Sequence, residues 1–242
     1  MVGEGQLTWP CAVPVRFTMT SSLHDLLPHG IRVSETTTPA DVDELLSEEL
    51  IHARNSVHRR RVEFATGRGQ ARRALGALGL SGAAACPVGV GKMRQPMWPD
   101  GVVGSITHCD GHCAAAVAWA HDFAAVGIDV EVNGRLPDEV IGQTCLEREL
   151  AALSPVPAVS WPTVLFSARE AVFKAWYPIT GDWLGHHDVT IDLDTARGSF
   201  TVTFLDPAVG DRAGGRFREL EGAVGWTLTH VYSGAWLRCP PR

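Results

Sequence analysis

The sequence predicts an α+β fold built from two similar halves. Three observations carry this. Two long helical patterns stand out, from about Arg60 to Leu78 and from about Trp161 to Tyr177. Each is followed, after a loop, by several short strand-like runs. Helices and strands come in blocks rather than in strict alternation, which argues against a parallel α/β sheet. The same broad order occurs on both sides of residue 120, which hints at a duplication. No repeat is visible in the residues themselves. The expected halves are 1–122 and 123–242.

Residues 1 to about 30 carry Pro10, Pro14 and Pro28 and little periodicity, and read as loop with one short strand at most. Thr38-Pro39 opens a helix. Thr38 suits the cap, Pro39 the first helical position, and Asp41, Asp43 and Glu44 the positive end. Its apolar period continues through Val42, Leu45, Leu46 and Leu50 towards His52. The next helix, from Arg60, lines Val62, Ala65, Ala71, Ala74, Leu75 and Leu78 along one side and arginines along the other. Gly67 and Gly69 weaken its middle, and Gly79 stops it. Residues 81–99 read as loop. Val102 to Thr107, Ala114 to Ala120 and Ala124 to Val130 read as a three-strand meander, separated by turn signals at Asp110-Gly111 and His121-Asp122.

A helix from Asp138 to Leu153 follows, with Glu147, Arg148 and Glu149 on its outer face. The helix from Trp161 ends at Tyr177, because Pro178 lacks the N–H that the ladder needs. Leu165, Val172, Phe173 and Trp176 supply its buried side. Strands are expected at Asp188 to Leu193, Ser199 to Leu205 and Ala223 to Tyr232, with an edge strand near Trp236.

Composition narrows the function. The 242 residues are 45% hydrophobic and 20% charged, as in a globular chain with an ample core. No run approaches eighteen apolar residues, and Met1 to Thr20 does not resemble a signal peptide, so a cytoplasmic protein is expected. Six cysteines are scattered without a framework spacing, as expected of reduced thiols. The net charge of −6 argues against general nucleic-acid binding. Against it stands a basic cluster, Arg54, Arg59, Arg60, Arg61, Arg68, Arg72 and Arg73, with Glu63 as its one acid. Such a cluster is a candidate anion site or acidic-partner dock, or else a solvated helix face.

Two constellations can carry chemistry. Asp129 and Glu131 sit two apart on a strand, so both carboxylates face one side. Like charges that close repel unless a cation lies between them. Glu170 on the later helix can add a third carboxylate, with Lys174 one turn away on the same face. The bland alternative is a surface ion pair and a solvated acidic pair. His108, at a strand end, can donate to a phosphate or sit satisfied in the core. His108, Cys109, His112 and Cys113 lack the separated pairs of a structural zinc site. Phosphate-binding glycine loops and the serine-hydrolase elbow are absent.

Val126-Gly127-Ile128-Asp129-Val130-Glu131, followed by Phe166-Ser167-Ala168-Arg169-Glu170-Ala171-Val172-Phe173-Lys174-Ala175-Trp176, resembles the paired signature of 4′-phosphopantetheinyl transferases, G-[IV]-D-x-E and [FW]-[ST]-x-[KR]-E-[AS]-x-x-K. Trp98-Pro99-Asp100-Gly101 leading into Gly104-Ser105-Ile106-Thr107-His108-Cys109 resembles the family's third motif. Arg60-Arg61-Val62-Glu63-Phe64 through Arg68 resembles its N-terminal arginine segment. The length is similar to the monomeric Sfp-type branch, particularly its actinobacterial-looking members.

The resemblance implies that coenzyme A binds between two pseudo-duplicated α+β halves. It implies Mg²⁺, with Mn²⁺ as an alternative, on Asp129, Glu131 and Glu170, and a serine of an apo acyl or peptidyl carrier protein as acceptor. Glu170 would be the base, directly or through a water, and Lys174 would bind the pyrophosphate. Arg60, Arg68 and His108 would hold the 3′-phosphate, and Arg169, where lysine is common, would add a charge on coenzyme A. Some relatives carry a lysine where this chain has Val90. Lys92 and Arg94 lie nearby at a different spacing. Two rival readings remain at this level: a metal-dependent phosphodiesterase or pyrophosphatase using water, and a non-catalytic carrier-binding module.

Overall fold

The computed structural model describes residues 22–156 and 158–240. Most of the N-terminal segment expected to be loop and strand lies outside them. Ser22 caps a short helix, α1 (Leu23–Leu26), by accepting the Asp25 N–H. Strand β1 (Arg32–Thr36) follows. The helix expected from Thr38 is divided. Asp41 takes the cap: its carboxylate accepts the Asp43 N–H, and Glu44 reaches back to the Asp41 N–H. One 3-10 turn (Val42–Glu44) results. Leu45 and Leu46 are extended, and α2 (Ser47–Ala53) restarts the helix.

Helix α3 (His58–Leu78) ends at Gly79, whose φ of 94° suits glycine. Gly67 has a packing reason to be there, since an added Cβ would stand 3.0 Å from the Ile106 methyl. Residues 81–99 contain more than loop. Beyond a 3-10 turn (Ala83–Ala85) lies a small ribbon, β2 (Gly89–Val90) with β3 (Pro96–Met97). Strands β4 (Val102–Cys109), β5 (His112–Trp119) and β6 (Phe123–Val132) come next.

These three do not form one meander. β5 pairs with β4 and β1, whereas β6 joins a second sheet. β6 is buried on both faces. Val126, Ile128 and Val130 pack towards Leu23 and Ala116, while Ala125 faces a different cluster. A strand apolar on both sides needs cover on both.

The helix expected at 138–153 splits into α4 (Asp138–Thr144) and α5 (Glu147–Ala151), parted at Cys145 and Leu146. Glu149 is buried rather than on an outer face. Helix α6 (Trp161–Thr180) runs through Pro178, contrary to expectation. Proline here removes one N–H close to the helix end. The Thr180 hydroxyl bonds the Trp176 carbonyl, the Gly181 N–H bonds that of Tyr177, and Gly181 at φ 68° stops the helix. β7 (Val189–Asp194), β8 (Ser199–Phe204), α7 (Pro207–Gly210), a 3-10 turn (Arg212–Glu219), β9 (Glu221–Trp226) and β10 (His230–Arg238) complete the chain. The run expected as one strand, 223–232, is a hairpin that turns at Thr227 to His230.

The sheets are β1-β5-β4 and β6-β10-β9-β8-β7. α3 covers the first and α6 the second. The halves also share a device invisible to composition. Leu46-x-x-Glu49 and Leu146-x-x-Glu149 each begin a short helix whose glutamate bonds the leucine N–H. Each buried glutamate then pairs with an arginine on the long helix, Arg72 at 2.6 Å and Arg169 at 2.5 Å. Each also accepts a backbone N–H from further along its half, Val88 or Ile191. A charge-assisted triangle thus ties short helix, long helix and following segment together in each half.

The tightest approach is α6 on β6. A Cβ on Gly127 would collide with the Ala171 carbonyl oxygen and the Ala175 nitrogen, so backbone lies directly on backbone. Ala171 and Ala175 are small for the same reason.

Gly127→Ala is expected to lower stability by ~1–3 kcal/mol or more, seen as a lower thermal midpoint, because the colliding atoms are backbone and cannot swing aside. Arg169→Ala is expected to cost ~3–5 kcal/mol by leaving Glu149 buried and unpaired. Denaturant unfolding of both variants checks these expectations.

Candidate functional site

Close packing at Gly127 sets the site, because the next residues of β6 then face the middle of α6. The Lys174 ammonium reaches back to the Asp129 carboxylate at 2.7 Å and the Ile128 carbonyl at 3.2 Å. Glu170 and Lys174, one turn apart, therefore do not satisfy each other. The other half contributes Thr107 from β4. Its hydroxyl donates to Asp129 Oδ1 at 3.2 Å and accepts the Val130 N–H at 3.1 Å. Sequence reasoning quoted Thr107 but gave it no role. Strand alternation puts it on the same face as Ser105, away from His108, and that was the available signal.

The electrostatics are unbalanced. Asp129 is buried, and its Oδ2 has no hydrogen-bond partner. Burial, and then the Asp129 charge, push Glu131 up to about 7, with Lys174 pulling the other way. Burial also raises Glu170, with Lys174 opposing and Asp129 adding to the rise. For Lys174 burial disfavours the charge, but the carboxylates outweigh it and its pKa stands above the usual lysine value. Three carboxylates thus crowd one cation. Among the described residues no three acidic, histidine or cysteine side chains form a ready-made metal cage. What the site offers is an orphaned buried carboxylate oxygen and two carboxylates that resist ionisation. All are oxygen donors of the kind a hard divalent cation takes, and such an ion would relieve the repulsion. Asp129, Glu131 and Glu170 could hold it.

On the N-terminal side, a cavity of about 480 Å³ opens between α3, the β2–β3 ribbon and β4. Arg60, Arg68, His108, Glu63 and Arg94 line it. Arg60 bonds Glu63 at 3.4 Å. Arg68 is buried, lies over the Phe64 ring at 4.2 Å and donates to the Gly89 carbonyl. Its Nε has no partner, and burial lowers its pKa to about 10. Burial also lowers His108, with Glu63 opposing. An arginine with an unmet N–H beside a cationic cavity suits a phosphate. The structure thus brings Arg60, Arg68 and His108 together. Arg169 is not with them. It is buried on α6, away from that cavity, and bound to Glu149 and to the carbonyl of His186, a structural pairing where the resemblance implied a charge on coenzyme A. Val90 lines the cavity without a charge.

Both parts of the chain are similar to known proteins. A model described as "4'-phosphopantetheinyl transferase N-terminal domain" matches residues 46–118, and one described as "4'-phosphopantetheinyl transferase superfamily" matches 125–214. The chain is 48% identical over 195 residues to the 4'-phosphopantetheinyl transferase Svp of Streptomyces mobaraensis, covering 78% of this chain and 76% of Svp. It belongs to the 4′-phosphopantetheinyl transferase superfamily. The transferase Npt of Nocardia iowensis is 36% identical over 86% of this chain and 98% of its own. PptT of Mycobacterium tuberculosis is 40% identical over 66% and 70%. The superfamily's activity is coenzyme A-dependent transfer of phosphopantetheine to carrier proteins. No helix among the described residues is long and apolar enough to cross a membrane.

Glu131 gives a pH signature. Its pKa is raised in the fold, so the folded state loses stability as pH rises from about 4.5 to about 7. In a chelator, Glu131→Gln is expected to melt higher than wild type at pH 8, with the two converging towards pH 4.5. Thermal scans across that range check it.

Proposed function

We propose that this chain transfers the 4′-phosphopantetheine arm of coenzyme A to a serine hydroxyl of an apo carrier protein, releasing 3′,5′-ADP, with Mg²⁺ as its cofactor. One observation carries the reading. A guanidinium-lined cavity on the N-terminal sheet meets an over-charged carboxylate and lysine cluster on the C-terminal one, across the Thr107–Asp129 contact. Coenzyme A has two anionic groups of different kinds, and the two regions differ in the corresponding way.

In this reading Asp129, Glu131 and Glu170 hold the divalent ion, which supplies charge neutralisation at the pyrophosphate. Mn²⁺ fits the same oxygens. Arg60, Arg68 and His108 anchor the 3′-phosphate, and Thr107 fixes Asp129. The serine oxygen bonds to the β-phosphorus as the bond from that phosphorus to the bridging oxygen breaks. The serine proton passes to Glu170, directly or through one water, and burial fits Glu170 to accept it. Lys174 stabilises the charge that grows on the departing 3′,5′-ADP. Positioning and charge neutralisation are what phosphoryl transfer requires of a protein.

In this reading the halves are 1–122 and 123–242, a division supported by β5 lying in one sheet and β6 in the other. One chain supplies every group in this scheme, which favours a monomer. Coenzyme A and apo carriers as substrates favour the cytoplasm. Acidic apo carriers of fatty-acid, polyketide or peptide synthesis are the partners.

With coenzyme A and Mg²⁺, an apo carrier is expected to gain about 340 Da, the mass of the arm's chemistry. Asp129→Ala and Glu170→Ala are each expected to lower transfer at least about 100-fold with the fold retained. Intact-mass spectrometry reads both. An unmodified carrier with hydrolysed coenzyme A would instead show water as the acceptor, and full activity in both variants would remove the carboxylate assignment.

A further inference from the structure

The β2–β3 ribbon carries an unexplained feature. Its loop closes tightly, with the Gly91 N–H bonded to the Gln95 carbonyl at 2.8 Å and the Arg94 N–H to the Gly91 carbonyl at 3.0 Å. Gln95 Oε1 accepts the Met93 N–H. Within this loop Arg94 has a φ of 66°, in the left-handed region where glycine is the usual residue. Among the described residues only Ala158 shares that state without being glycine. A long cation kept where glycine would be unstrained calls for a use of its side chain.

Its position supplies one. Arg94 lines the cationic cavity opposite α3, together with Arg60, Arg68 and His108. Its guanidinium makes no hydrogen bond or ion pair among the described residues, whereas Arg60 is bonded to Glu63 and Arg68 to the Gly89 carbonyl. Gly89 and Val90 belong to the strand that pairs with β3, so the loop that holds Arg94 is tied to the same backbone that Arg68 grips. Asp129, Glu131 and Glu170 do not line this cavity. A cation here meets the anionic group that lies away from the carboxylates.

We propose that Arg94 is the third guanidinium of this cavity and sets the chain's preference for a nucleotide with a 3′-phosphate. The inference rests on the transfer reading and deepens it by naming a specificity residue. Arg94 is exposed on the ribbon loop and lines the same cavity as Arg60 and Arg68, so its planar, two-pronged donor is available to a phosphate bound there. Val90, on the preceding strand, contributes no charge, and Arg94 supplies one from the loop instead.

The test is calorimetric titration of the full chain with coenzyme A and with 3′-dephospho-coenzyme A, for wild type, Arg94→Ala and Arg94→Gly. Arg94→Ala is expected to weaken coenzyme A roughly 10-fold, with dephospho-coenzyme A within about twofold of wild type. Arg94→Gly should show the same loss while melting above Arg94→Ala, because glycine relieves the backbone. Equal weakening of both ligands, or no weakening of either, overturns the assignment and leaves the transfer reading standing. A wild-type chain that binds neither ligand overturns the transfer reading, and the role of Arg94 with it.

Discussion

Everything in the site hangs on one contact, the backbone of α6 lying on the backbone of β6 at Gly127. With no Cβ there, and alanines at 171 and 175, the helix settles close enough for Lys174 to reach Asp129. A helix standing off by the thickness of one methyl would leave that lysine short and would loosen Glu170 as well. The glycine in the motif is thus no less functional than the acid two residues later. It acts through distance, which is the quantity that electrostatics in a half-buried site depends on.

The site is also frustrated by design. Asp129 keeps an oxygen without a partner, while Glu131 and Glu170 are held where ionisation is disfavoured. In a protein selected for stability alone, each would be expected to be paired or replaced. The cavity on the other half mirrors this with the unmet Nε of Arg68. Negative and positive excess sit on separate sheets, joined at Thr107, so a ligand with matching ends relieves both at once. Rigid surroundings sustain the strain: the Glu49–Arg72 and Glu149–Arg169 triangles lock each long helix before the site is considered.

Much of this was legible in the sequence, and the failures have physical causes. Spacing put Asp129 with Glu131 on one strand face and Glu170 with Lys174 on one helix face, and the family resemblance implied that the two pairs meet. The two-half order could be read from blocks of helix and strand. Arg169 could not be separated from Arg68 by charge or position, since both are arginines inside long helices. What separates them is Glu149, a residue twenty positions away. The one local clue was the Leu146-x-x-Glu149 pattern, which repeats Leu46-x-x-Glu49 and would also have revealed the duplication. Pro178 misled because a proline near a helix end removes a bond that other groups replace. The meander failed because adjacency in sequence favours pairing with the next strand, whereas β6 pairs with the distant β10.

That pairing has a consequence for assembly. Register joins Val132 to His230 and Phe123 to Arg238, so nearly all the C-terminal half lies between the two strands. The N-terminal sheet closes through the local β4–β5 hairpin, but the strand bearing Asp129 and Glu131 keeps an open edge until β10 arrives. Non-local closure of this kind is slow and leaves apolar edge exposed meanwhile. The strand carrying two of the three carboxylates therefore gains its sheet partner only once β10 is in place.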